Sequence, residues 1–398
     1  MKDTDTNNYI CRGTTILVLF WIVVICGFGF SVTNLKDIVT VGSGLTKLAF
    51  FNQIPVSSVS TAFDDYYDAL YSSLPVSLEA FSVTQRVLCK HETRSFEVLK
   101  ANDGQLYLRN GENEVDKDSL RIIADQYEYL YDVTNESGGR FLFVQAPIKN
   151  AGQASELAAY TNDITEESEN ILIGLLCERG IPVLDLRDFS DCCEYYHTDH
   201  HWTMQSAFNA SNILLEEIEK LYGIDLRWHE FYRDLSNYNV VTYKNSLLGS
   251  IGVKVGPYFA GKDDFSVYVP RFDTDLEFRH YVNGELQSEH QGVFAETFID
   301  QNILDDGGYY NKYNAFMYGA WVESVINNNM AQKDNKCLLI THSYGRPMAP
   351  YMSLNFGELR FIDPQEGRFE GDVAAYIRNY QPDVVILMFD GAMNVGDA

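Results

Sequence analysis

Basic residues are scarce in this chain. Across 398 residues, 30 Lys and Arg face 56 Asp and Glu, for a net charge of −26. Neutralising a phosphate backbone takes clustered cations, so nucleic acid is excluded as a partner. The acidic excess otherwise bears on solubility rather than on fold. Cysteine is scarce too, at seven residues with no zinc-ribbon spacing. Cys11 and Cys26 lie in or beside an apolar segment. The other five, Cys89, Cys177, Cys192, Cys193 and Cys337, are too few and too odd in number for a disulfide scaffold. They leave room for one bridge, involving the adjacent Cys192 and Cys193.

Long apolar runs are absent but for one. Residues 14–32, "TTILVLFWIVVICGFGFSV", carry no charge. That length suits a minimal transmembrane helix or the core of a signal peptide. Gly29-Phe30-Ser31 has the small-x-small form of a cleavage site, and Ile25 before Cys26 excludes a lipobox. Lys2 and Arg12 on one side balance Lys36 and Lys47 on the other, so flanking charge does not set orientation. The expected arrangement is a cytoplasmic stretch 1–13, a single-pass membrane anchor 14–32, a linker 33–60 and an extracytoplasmic domain 61–398. Secretion after cleavage is the alternative.

What is present reads as a globular α/β domain. Residues 63–89 look helical around a break at Pro75, and Asp103-Gly104 marks a turn into a short strand. An amphipathic helix over 120–133 precedes the apolar strand "RFLFVQAP". A helix over 164–178, with Asp163 and Glu166 as a capping box, is closed by Gly180 and followed by the strand "IPVLDL". Helices alternating with short apolar strands indicate a parallel sheet flanked by helices. Residues 237–300 change to a β-rich texture, read as an antiparallel insertion, with Asn283-Gly284 a hairpin signal. The alternation then resumes: a helix over 316–327, strand "KCLLIT", a helix from Met348, strand "LRFI", a helix over 372–380 and strand "DVVILMF".

Histidine is scarce as well, at eight residues, yet three of them fall in "HTDHHW", at 197, 200 and 201. Thr203 is a natural N-cap for the helix that follows, and Gly223 a natural stop. Asp199 and His201 therefore sit on a loop just before a helix, a usual place for site residues. Ser343 follows the strand "CLLIT" by two positions, and Gly345 and Pro347 break the chain beyond it. A strand-to-helix turn at the carboxyl edge of a parallel sheet is where such folds place ligands and nucleophiles, although the stretch is not G-x-S-x-G. A serine hydroxyl needs a base, and the base needs a carboxylate to hold its tautomer. Asp199-x-His201 offers both.

These residues resemble the DHHW proteins, relatives of the alginate O-acetyltransferases. The likeness rests on "TDHHW" before a helix and a later strand-Ser-Tyr turn. It extends to "FDDYYDALYSSLP", "DGQLYL", "QAPIK", "GSIGVKVGPYFAGKDDFSVYVPRF" and "IRNYQPDVVILMF". The resemblance implies an SGNH-hydrolase-like (flavodoxin-like) fold, with Asp199 as acid, His201 as base and Ser343 as nucleophile. His342 stands where the relatives commonly have Asp. The expected oxyanion donors are the N–H groups of Ser343 and Tyr344, with Gly319 a further candidate. Lys149, Trp202 and Arg346 are candidates for holding an acidic glycan or stacking on it. The implied activity is acetyl transfer to, or acetyl-ester hydrolysis on, a cell-surface or secreted polysaccharide, with a membrane O-acyltransferase as partner and no cofactor. Two alternatives stay open. One is a non-catalytic polysaccharide-binding relative. The other is a zinc hydrolase using His197, Asp199, His200 and His201, which are all permitted ligands but lie on a single loop.

Overall fold

The computed structural model describes residues 75–395 apart from 94–96, 110–113, 152–153, 156, 158–163, 227–228, 308–310, 320–321, 332–333, 366–368 and 370. The apolar segment, the linker, the expected domain start at 61 and Asp163 of the expected capping box lie outside the described residues. Among the described residues no helix is long and apolar enough to cross a membrane. The chain divides into two compact units, Met1–Leu88 and Cys89–Ala398. In the first, helix α1 (Pro75–Val87) begins on its proline, whose fixed φ and missing N–H suit a first helical turn.

The second unit opens with a small antiparallel sheet of β1 (Glu92–Thr93), β2 (Val98–Lys100) and β3 (Leu106–Leu108). Helix α2 (Lys117–Glu136), strand β4 (Arg140–Gln145), helix α3 (Thr165–Glu178) and strand β5 (Val183–Asp185) then alternate as their patterns predict. Helix α4 (Met204–Tyr222) starts where Thr203 Oγ1 accepts the Ser206 N–H at 3.2 Å. It ends on the left-handed Gly223, at φ 63°. The β-rich stretch holds β6 (Tyr238–Leu247), the short helix α5 (Ser250–Val255), β7 (Asp263–Pro270), β8 (Leu276–Val282) and β9 (Glu285–Gly292). Asn283 and Gly284, at φ 51° and 75°, make the predicted hairpin turn between β8 and β9. Strands β10 (Glu323–Asn328) and β11 (Lys336–Thr341), helix α6 (Ala349–Ser353), strand β12 (Glu358–Ile362), helix α7 (Val373–Tyr380) and strand β13 (Val384–Phe389) complete the unit.

The central sheet runs β5-β4-β13-β11-β12-β10-β8-β9. From β5 to β12 every ladder is parallel, and β10, β8 and β9 extend it antiparallel. All six residues of β13 are buried because helices cover both faces. Val384, Ile386 and Met388 pack into a core shared with α4, while Val385, Leu387 and Phe389 pack into one shared with α2, α3 and α7. Part of the β-rich stretch thus joins the central sheet through the β8–β9 hairpin, and β6 and β7 pair separately.

The helix expected over 316–327 is not formed. Met317, Tyr318 and Gly319 have φ of 54°, 56° and 114°, which a right-handed helix cannot include. Residues 323–328 are instead strand β10, bonded to β12 on one side and β8 on the other. Val325 and Ile326 fit a pleated strand at least as well as a helix, and two waiting neighbours decide between them. The one bridge for which the cysteine count leaves room does not involve Cys192 or Cys193: all five described cysteines are free thiols.

Candidate active site

Chain direction places the site. Strand β11 delivers Ser343 just past its carboxyl end, where residues 343–345 form a single 3-10 turn. Gly345 is needed there, because a Cβ would run into Thr341 and Phe361. Asp199 and His201 sit at the tip of a tight loop closed by an antiparallel bridge between Tyr195 and Trp202. The Tyr196 N–H donates to His201 O at 3.2 Å, and the Thr203 N–H to Glu194 O at 2.8 Å.

The three side chains meet. His201 Nδ1 lies 2.8 Å from Asp199 Oδ1, and His201 Nε2 lies 2.8 Å from Ser343 Oγ. An ionised carboxylate only accepts, so Nδ1 carries the proton and Nε2 accepts from the serine hydroxyl. Burial pulls the His201 imidazole down to about 4, against the opposing attraction of Asp199. Burial pushes the Asp199 carboxyl up, but His201 and His200 outweigh it and hold the group well below the usual carboxylate range. At neutral pH the site is therefore a carboxylate, a neutral base and a serine in hydrogen-bonded series.

Residues distant in sequence hold the acid. Asp199 Oδ2 accepts the Ser250 N–H at 2.9 Å, and Oδ1 accepts from Ser250 Oγ at 3.1 Å. His200 Nδ1 lies 2.7 Å from that hydroxyl and 3.1 Å from Asp199 Oδ1. Asp263, on β7, accepts from the His197 N–H at 2.9 Å, the Thr198 N–H at 2.8 Å and the Thr198 hydroxyl at 2.6 Å. Tyr313 stacks on His201 with ring centroids 4.1 Å apart. Ser250, Asp263 and Tyr313 escape a reading of the sequence, since no local pattern ties them to the loop.

No family model and no curated protein sequence matches this chain. Solved structures do. Bacillus cereus PatB1 with a sulfonyl adduct is 19% identical at a TM-score of 0.55, covering 73% of this chain and 94% of that one. A DHHW family protein from Eubacterium siraeum is 17% identical at a TM-score of 0.51, covering 73% of this chain and 89% of that one. The fold is that of a DHHW family protein. The O-acetyltransferase domain of Pseudomonas putida AlgJ also matches, at 11% identity and a TM-score of 0.41, over 73% of this chain and 90% of that one.

Within this DHHW fold the other expected site residues have different duties. The Tyr344 N–H donates to His342 Nδ1 at 3.2 Å, so His342 caps the turn at Ser343, with its Nε2 2.8 Å from Asp390 Oδ1. The Gly319 N–H donates to Phe316 O at 3.2 Å. Neither backbone group is free as it stands for an oxyanion, which leaves the Ser343 N–H of those expected. Trp202 is fully buried and packs on Tyr344, so it offers no face to a sugar. Arg346 is buried, donates to Asn314 Oδ1 at 2.8 Å and lies over the Tyr313 ring. Lys149 donates to three carbonyls of the loop rather than facing outward.

Asp199, His200 and His201 also bring candidate metal-ligand atoms within 4.8 Å of one another, closer than their adjacency on one loop suggests. His197 is not among them, being paired with Asp263 at 3.0 Å. A cavity of about 850 Å³ opens beside the loop, lined by Tyr107, Tyr195, Tyr268, Glu194, Gln205 and Asp264 among others. Ser343 does not line it.

Proposed function

We propose that this protein is a serine-dependent O-acetyltransferase or acetylesterase that acts on cell-surface or secreted polysaccharide through an acyl-serine. The observation that carries this reading is the hydrogen-bonded series from Asp199 through His201 to Ser343. Ser343 Oγ attacks the acetyl carbonyl carbon and gives its proton to His201 Nε2, with Asp199 stabilising the imidazolium. The tetrahedral intermediate collapses, His201 returns the proton to the departing alcohol, and the acetyl group remains on Ser343. A sugar hydroxyl or water then attacks that ester, again losing its proton to His201, and the serine is regenerated. In this reading the Ser343 N–H stabilises the first oxyanion.

A bound sugar hydroxyl held in line outcompetes solvent, which makes the difference between transfer and hydrolysis a matter of what occupies the cleft. In this reading residues 14–32 anchor the enzyme in the membrane, the domain works outside it, and a membrane O-acyltransferase supplies the acetyl donor.

The test is acetyl transfer in solution. With p-nitrophenyl acetate as donor, mass spectrometry should show an added acetyl group on at least one candidate oligosaccharide. Acetate release with every acceptor unmodified would reduce the reading to an esterase. The convergence of Asp199, His200 and His201 favours one rival, a zinc hydrolase. Roughly one zinc per chain, with activity lost on chelation, would establish it. The serine reading expects activity to survive EDTA.

A further inference from the structure

The loop that carries Asp199 and His201 turns three of its own carbonyl oxygens toward one point. Lys149 Nζ occupies that point, donating to Tyr196 O at 2.7 Å, His197 O at 3.1 Å and Asp199 O at 3.0 Å. An ammonium has three hydrogens, and three acceptors use them all. The Tyr107 ring lies beneath the same nitrogen, 5.2 Å from its centroid. Burial pulls the Lys149 ammonium down to about 7, and the nearby Asp263, Asp199 and Asp103 oppose that pull. Three converging carbonyl dipoles repel one another unless a donor or cation satisfies them; His197 O also accepts the Leu106 N–H at 2.9 Å, and Lys149 Nζ bridges all three.

This arrangement leaves Lys149 no hydrogen for a ligand. It also fixes the Asp199 backbone, while Ser250 holds the same residue's carboxylate. We propose that Lys149 is a positioning residue that serves as a built-in cation for the site loop, setting the Asp199–His201 hydrogen bond and through it the activation of Ser343. The proposal rests on the acyl-serine reading for its effect on rate, but its structural part is independent of that reading.

Lys149→Met keeps the length of the side chain and removes the donor. In that variant kcat should fall at least tenfold with KM within about twofold, the signature of lost transition-state geometry rather than lost substrate binding. The downfield proton resonance of His201 Nδ1–H on Asp199 should shift or vanish. Lys149→Ala opens the space between the carbonyls, and propylammonium should restore part of the rate and of the resonance. That rescue also serves as the test if Lys149→Met does not fold. A raised KM with unchanged kcat would make Lys149 a substrate-binding residue and overturn the proposal. An unchanged resonance in Lys149→Met, or no rescue of Lys149→Ala by propylammonium, would also overturn it. If the wild type proves inactive, the acyl-serine reading falls, while the resonance still decides what Lys149 does.

Discussion

A side chain at residue 249 has nowhere to go, because Gly249 lies against Asp199. A Cβ there would come within 2.7 Å of the Asp199 Cα and would fall on its carboxyl group. The Gly249 N–H meanwhile donates to Thr198 Oγ1 at 2.8 Å, so the backbone cannot retreat without losing a bond to the same loop. Gly249→Ala should therefore push Asp199 away from His201. A misoriented triad acid can cost as much as ~10⁴ in rate, so a loss of at least ~10-fold in kcat is expected. Overpacking should also take about 1–3 kcal/mol from stability. Steady-state kinetics beside a urea titration reads both, and unchanged kcat in a folded Gly249→Ala would show that the contact does not set the acid's position.

The acid limb of activity should lie unusually low. Catalysis needs His201 neutral, and burial brings its imidazole down to about 4. The neutral fraction therefore stays near one through the mildly acidic range, falls to half near pH 4 and drops about tenfold per unit below that. An ordinary histidine would halve the rate near pH 6.5. A pH profile of kcat/KM for p-nitrophenyl acetate checks this. A limb centred at 6 or above would mean that His201 is more exposed to water than its surroundings indicate.

His342 takes over a capping duty for which an acidic residue would be the simpler choice. Its Nδ1 accepts the Tyr344 N–H, and its Nε2 faces Asp390. Burial pushes the Asp390 carboxyl up, but His342 outweighs it and holds the group low. His342→Asp could cap the turn, yet it would set two carboxylates against each other. The single substitution should cost roughly 1–3 kcal/mol. Adding Asp390→Asn should recover most of that and most of the turnover. Urea midpoints of the two single variants and the double variant test the coupling, which is absent if their effects simply add.

The three side chains that meet could be picked out in the sequence because each sits in a recognisable local setting. Asp199 and His201 share one short loop between strand and helix, with Thr203 as a recognisable cap, and Ser343 follows a strand too apolar to be anything but buried. The hairpin at Asn283-Gly284 and the stop at Gly223 were legible for the same reason, since a left-handed backbone selects few residue types. The partners of the site were not. Ser250, Asp263 and Tyr313 reach the loop from 51 or more residues away, and nothing local marks them. Lys149 and Arg346 look like free cations until the fold turns carbonyls and an amide toward them. Residues 323–328 were misread because an apolar pattern of that length fits a helix or a strand, and only the pairing with β12 and β8 decides.

The most direct measurement of the central claim is covalent labelling of the serine. Phenylmethylsulfonyl fluoride reacts with a hydroxyl only where a base takes its proton and fluoride can leave. Intact-mass and peptide analysis of the labelled protein should find one sulfonyl group, on Ser343, with none in Ser343→Ala and a rate of labelling lowered by orders of magnitude in His201→Ala. A label on another residue, or labelling of Ser343 undiminished by His201→Ala, would contradict the account.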